Sequence, residues 1–183
     1  EFLIRDLIIQ GACIDTFGIG ERLITSRSEP VFGGVYKLAA IEGKDGEIIP
    51  RIKISENVGK ITNPHFKKVW RLVDNTTGQY LADVLTLHDE YIDSSEPYTI
   101  FDPEHTWKKK TLQSFTAFPL LEPIFEKGKC VYQPRDIKEV RSSCQEKLSR
   151  LWAEVTRFEN PHPYYVDLSP RLWEIKNQLL QKY

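Results

Sequence analysis

The sequence predicts an α/β chain that opens on an α/β unit, continues as an antiparallel β-rich module and closes on helices. Three observations carry this. An amphipathic run, an apolar run and paired glycines follow one another over residues 1–40. Short alternating stretches punctuated by turn residues then extend over 41–131. In 132–183, apolar residues recur at spacings of three and four.

The elements can be justified in order. Phe2 to Gln10 places Leu3, Leu7 and Ile8 on one helical face, and Gly11 supplies a left-handed stop. Ala12 to Phe17 reads as a short apolar strand leading into Gly18-Ile19-Gly20, with ligand chemistry expected at its C-terminal end. Gly33-Gly34 precedes a second strand, Tyr36 to Ile41. Lys44-Asp45-Gly46-Glu47 is a turn, Pro50 to Ser55 and Val69 to Val73 alternate, and Asn75-Thr76-Thr77-Gly78 closes a hairpin before Tyr80 to Leu87. Pro97 to Phe101 adds an edge strand, and Phe115 to Phe125 is extended but broken by Pro119 and Pro123. Asp136 and Glu139 form a capping box for one long helix carrying Ile137, Val140, Cys144, Leu148, Leu151 and Val155. After the extended connector Asn160 to Val166, Ser169 caps a last helix with Pro170 in its first turn.

Composition narrows the function classes. Of 183 residues, 40% are hydrophobic and 28% charged, with 25 Lys and Arg against 26 Asp and Glu. This balance gives no electrostatic reason to expect a nucleic-acid or membrane partner. No apolar run approaches a membrane span and the start lacks a signal-peptide layout, so a cytoplasmic location is expected. Cys13, Cys130 and Cys144 are far apart without CxxC spacing and are expected to be buried thiols. The chain contains no Met and opens directly on an uncapped helical pattern, so it is expected to be a piece of a longer protein.

Candidate chemistry lies at the glycines. Gly18 and Gly20 would let backbone N–H groups approach a phosphate with no Cβ in the way, although this loop taken alone reads first as a tight strand-exit turn. Gly33 and Gly34 offer a second close approach, with Lys37 as an anion contact; the plain alternative is a glycine bulge with Lys37 in solvent. Lys53, Lys60, Lys67, Lys68 and Arg71 make a locally basic stretch that reads either as a lid over a polyanion or as a solvated face. His65, His88, His105 and His162 show no metal-ligand spacing.

Three segments together say more than any one of them. Ile14-Asp15-Thr16-Phe17-Gly18-Ile19-Gly20, Leu23-Ile24-Thr25-Ser26 and Gly33-Gly34-Val35-Tyr36-Lys37-Leu38 resemble, in order and spacing, the I-D-x-F-G-[IV]-G, L-[VI]-T-S and G-G-V-Y-K-L pattern of the nicotinate phosphoribosyltransferase family. Looser matches continue through Lys53-Ile54-Ser55-Glu56, Val69-Trp70-Arg71, Asn160-Pro161-His162 and Leu168-Ser169-Pro170. In effect the resemblance spans the chain.

The resemblance implies the late part of an irregular α/β barrel followed by the β-rich module and C-terminal helices. It implies an enzyme that joins nicotinate to 5-phosphoribosyl 1-diphosphate, in NAD biosynthesis, with ATP hydrolysis passing through a phosphohistidine. ATP and Mg are its expected cofactors, and a homodimer is its expected assembly. By the same match Gly18, Gly20, Gly33 and Gly34 hold the substrate phosphate. The phosphorylated histidine and the arginine that reads nicotinate are expected before residue 1, so no catalytic residue is assigned here and the 183 residues alone are expected to be inactive.

This sequence departs from the pattern twice. Glu21 replaces the usual Thr after the second glycine, and its side chain is expected to point away while backbone amides bind. His65 replaces the glycine of a P-G-x-K turn, which puts the shape of that turn and any ligand role of Lys67 in question. The other readings are a nicotinamide or quinolinate phosphoribosyltransferase, or a non-catalytic β-rich interaction module.

Overall fold

The computed structural model describes residues 2–27, 30–31 and 34–182. They fall into two compact units, Glu1–Tyr36 and Lys37–Tyr183. No helix among the described residues is long and apolar enough to cross a membrane.

The first unit holds α1 (Phe2–Ile9) and the four-residue α2 (Glu21–Ile24). Gly11 takes φ 82 and ends α1 as its lack of a Cβ allows. The expected strand over Ala12 to Phe17 does not form, and 12–20 has no regular structure. A strand exists only through a neighbour's hydrogen bonds, and no described strand pairs with this segment. None of the described residues of this unit is buried.

The second unit is built on a four-stranded sheet. β1 (Ala40–Glu42) and β2 (Ile48–Pro50) first form a small hairpin around Gly46, at φ 77. The strand expected from Tyr36 therefore begins at Ala40, because β2 is three residues long and its register ends at the Ala40–Pro50 pair. β3 (Lys67–Asp74) and β4 (Tyr80–Leu87) then form the central antiparallel pair. Asp74 closes their turn by accepting from the N–H groups of Thr76 and Thr77, which hold its carboxyl below the ordinary value.

β5 (Tyr98–Phe101) pairs with β6 (Lys109–Leu112) as a separate hairpin, while β7 (Phe115–Pro119) adds to the free edge of β3. β8 (Phe125–Glu126) and β9 (Lys129–Cys130) form a small ribbon of their own. α3 (Ile137–Ser149) carries the expected capping box at Asp136 and Glu139. It does not run on to Val155: the backbone N–H of Tyr80 takes the Arg150 carbonyl, Trp152 turns extended against Tyr165, and α4 (Ala153–Thr156) starts anew.

β10 (Val166–Leu168) pairs parallel to β4, so the sheet order is β10-β4-β3-β7; β1 to β9 pair antiparallel, and the parallel edge comes from 132–183, the segment expected to be helical. α5 (Pro170–Leu180) follows, capped by Ser169. Trp70, Leu72, Ala82, Val84, Ile92, Ile100, Leu112 and Phe115 form the main core on one sheet face. Leu87, Leu168 and Leu172 form a second cluster where α5 meets β4 and β10. The three cysteines, expected buried, are exposed thiols: Cys13 lies in the unburied first unit, Cys130 on the β8–β9 ribbon, and Cys144 on α3, which buries no residue.

Candidate functional site

The predicted phosphate loop is an exposed, irregular segment that hands over to α2. Gly20 is the N-cap of that helix, and its carbonyl accepts from the Leu23 N–H at 3.1 Å. A Cβ built at Gly18, Gly20 or Gly34 would meet nothing within 4 Å. The backbone there is open to an approaching group, and in this unit no packing demand explains the glycines. Glu21 stands at the first position of α2 and is exposed. The Thr25 hydroxyl and N–H both donate to the Glu21 carbonyl, each at 2.8 Å, which ties the turn after the glycines together. Gly33 lies outside the described residues.

Lys37 belongs to the second unit, where its Nζ donates to the Lys60 carbonyl. The basic residues that follow are engaged one by one. Lys68 sits over the Tyr91 ring at 4.1 Å, and Lys67 donates to the His65 carbonyl at 2.6 Å, burial holding its ammonium below the ordinary value. Arg71 pairs with Asp83. Lys68 faces the opposite side of β3 from Lys67 and Arg71, so the three do not converge as a lid would require.

The histidines are placed apart. His65 is in a turn with φ 78, His88 stacks on Phe66 with centroids 4.7 Å apart, His105 pairs with Asp102, and His162 lies in the connector. Among the described residues no three His, Cys, Asp or Glu side chains gather as a metal site would need.

Sequence reasoning gives no role to Asp167, which lines a cleft of the second unit. The signal is visible in hindsight: one carboxylate inside the apolar Val166-Asp167-Leu168 run, directly before the Ser169-Pro170 helix start.

Comparison with known proteins agrees with the residue pattern. The model of the nicotinate phosphoribosyltransferase C-terminal domain matches residues 66–176. The nicotinate phosphoribosyltransferase of Bacillus subtilis (strain 168) is 40% identical over 182 residues, covering 100% of this chain and 37% of that protein. The human protein of the same name is 32% identical over 179 residues, covering 98% and 32%. The crystal structure of human nicotinic acid phosphoribosyltransferase superposes with a TM-score of 0.65 at 30% identity, over 81% of this chain and 27% of that one. The chain thus spans about a third of the length of these relatives. It belongs to the nicotinate phosphoribosyltransferase family, and it carries that family's C-terminal domain.

Proposed function

We propose that this chain is the C-terminal part of an enzyme that forms nicotinate mononucleotide and diphosphate from nicotinate and 5-phosphoribosyl 1-diphosphate, driven by ATP hydrolysis. The observation that carries this reading is the 40% identity to the Bacillus subtilis protein along the whole chain, glycine segments included. The open backbone at Gly18, Gly20 and Gly34 supports it from the geometric side.

In this reading the first unit is the late part of the family's irregular α/β barrel. Its surface supports that role: Phe2, Leu3, Ile4, Leu7, Ile8 and Ile9 are all exposed on α1, an apolar display that calls for a covering partner. The N–H groups of Gly18 and Gly20 hold the 5′-phosphate, with Gly33 and Gly34 as a second close approach. Diphosphate leaves the ribosyl carbon as the nicotinate nitrogen attacks through an oxocarbenium-like centre. The glycines contribute by holding one end of the substrate still. Lys37 donates one N–H to the Lys60 carbonyl, which leaves two donors on its ammonium for an anion.

Among the described residues no three His, Cys, Asp or Glu side chains gather, and none is assigned to the Mg²⁺ that this reading implies for the full-length protein. The full-length protein acts as a cytoplasmic homodimer in this reading.

The test is a product assay on the full-length protein with nicotinate, nicotinamide and quinolinate offered in turn, with and without ATP. Formation of nicotinate mononucleotide, accelerated by ATP, is expected. Turnover of nicotinamide or quinolinate in place of nicotinate contradicts the assignment.

A further inference from the structure

Asp167 occupies a position that a carboxylate rarely takes without a partner. β10 runs parallel to β4 with Asp167 in register with Val84, and register partners share a face, so Asp167 lies on the side of the sheet that carries the main core. It is 5% exposed. Among the described residues its carboxylate makes no hydrogen bond or ion pair. No fully enclosed side-chain polar atom among those residues lacks a partner, so the Asp167 oxygens open onto the cleft they line, of about 1050 Å³.

The walls of that cleft are aromatic and fixed. Phe101 meets Trp173 edge to face with centroids 6.1 Å apart, and the Trp173 indole N–H donates to the Pro103 carbonyl at 2.9 Å. Tyr98 stays protonated beside Asp167, its hydroxyl pushed up to about 12 by burial and by the charges of Glu90 and Asp167.

The charges set the sign of what fits. Asp102 is already satisfied, accepting from the N–H groups of Glu104 and His105 and from the His105 ring, yet its field still acts on Asp167. Lys176 is held by Asn63 at 2.8 Å and Lys108 lies on the exposed rim, so neither reaches Asp167 as an ion-pair partner. Glu104, Lys109 and Lys110 also line the cleft, but among the described residues the charge that acts on Asp167 is that of Asp102, so the Asp167 end repels an anion, and no three His, Cys, Asp or Glu side chains among them gather on a metal. What remains is a ligand that brings its own N–H donors, a positive charge and an apolar body to lie against the rings.

We propose that this cleft binds a small organic cation, a guanidinium or primary ammonium on a short apolar stem, with Asp167 as its counter-ion. The cleft is lined by residues of the second unit and the glycine segment belongs to the first, and the transferase reading makes no use of Asp167, so failure of this proposal would leave that reading untouched.

Calorimetric titration of the full-length protein with butylguanidine, and with its neutral isostere butylurea, tests this. Saturable binding of one butylguanidine per chain is expected, with butylurea weaker by about tenfold or more, the loss that goes with one charge-assisted hydrogen-bonded pair. The Asp167→Asn variant is expected to lose butylguanidine affinity by about the same factor. Absence of butylguanidine binding, equal binding of butylurea, or undiminished binding to Asp167→Asn would each overturn the proposal. The butylurea arm uses the unaltered protein and decides the matter even if the variant fails to fold.

Discussion

Arg71 and Asp83, register partners on β3 and β4, are joined by two parallel hydrogen bonds, Nε to Oδ1 and Nη2 to Oδ2, each 2.8 Å long. The Tyr164 hydroxyl also donates to Asp83 Oδ1 at 3.1 Å, which ties the late connector to the central strands. The Tyr80 ring covers the guanidinium at 4.4 Å, and Asp83 raises the Arg71 value above its ordinary one. Removing one partner strands the other in a half-buried place. Asp83→Ala is therefore expected to cost about 3 kcal/mol in urea unfolding. A loss below about 1 kcal/mol would assign the pair to the weak, solvent-screened class.

Ser169 does two jobs at the start of α5. Its hydroxyl accepts from the Leu172 N–H at 3.3 Å and donates to Glu90 Oε2 at 2.7 Å, and the same carboxylate oxygen accepts from the Leu87 N–H. Ser169→Ala removes a helix cap and one partner of Glu90 together, an expected loss of about 1–2 kcal/mol by chemical denaturation. Ser169→Thr, which keeps the hydroxyl, is expected to recover part of it.

His65 adopts φ 78, in the left-handed region that favours glycine, at a position where the family pattern has glycine, so a residue that strains there holds the turn. Its N–H donates to the Ala39 carbonyl at 2.7 Å and its carbonyl accepts from Lys67, which fixes the strained geometry from both sides. His65→Gly relieves the left-handed penalty and adds some unfolded-state freedom. The net expectation is a gain of about 0.5–1 kcal/mol, read as a higher melting temperature. A fall in melting temperature would mean that the imidazole contributes contacts worth more than the strain.

The buried carboxyl of Asp167 gives the stability a definite pH dependence. Burial, followed by the Asp102 charge, raises it from 3.8 to about 6. The folded state then holds this proton more tightly than the unfolded state. The stabilising contribution is complete below the unfolded value and is lost as pH rises through the folded one. Asp167→Asn is expected to match the unaltered protein near about pH 4 and to melt higher above about pH 7. Equal melting curves at both pH values would contradict the raised value.

What the sequence showed and what it hid separate along physical lines. β4 over Tyr80–Leu87, the Asp136 capping box and the Ser169-Pro170 helix start follow from residues within a few positions of one another, and all were legible. β10 was not: a three-residue strand acquires its identity only from its pairing with Asp83, Val84 and Leu85, about eighty positions earlier. The same dependence on a neighbour explains why Ala12 to Phe17, apolar enough for a strand, forms none among the described residues. The break near Arg150 follows from a backbone bond to Tyr80 that no periodicity encodes. At the glycines the pattern named positions but not contacts, because what a glycine offers a ligand is the absence of a side chain.

Gly18 and Gly20 are proposed to hold the phosphate of 5-phosphoribosyl 1-diphosphate. Since a Cβ at Gly18 meets nothing within 4 Å, Gly18→Val is expected to leave folding intact, which makes its kinetics interpretable. In the full-length enzyme a rise of about tenfold or more in the KM for 5-phosphoribosyl 1-diphosphate is expected, with the KM for nicotinate and the melting temperature unchanged. An unchanged KM for 5-phosphoribosyl 1-diphosphate in a folded Gly18→Val enzyme would remove Gly18 from the site and contradict its proposed phosphate role.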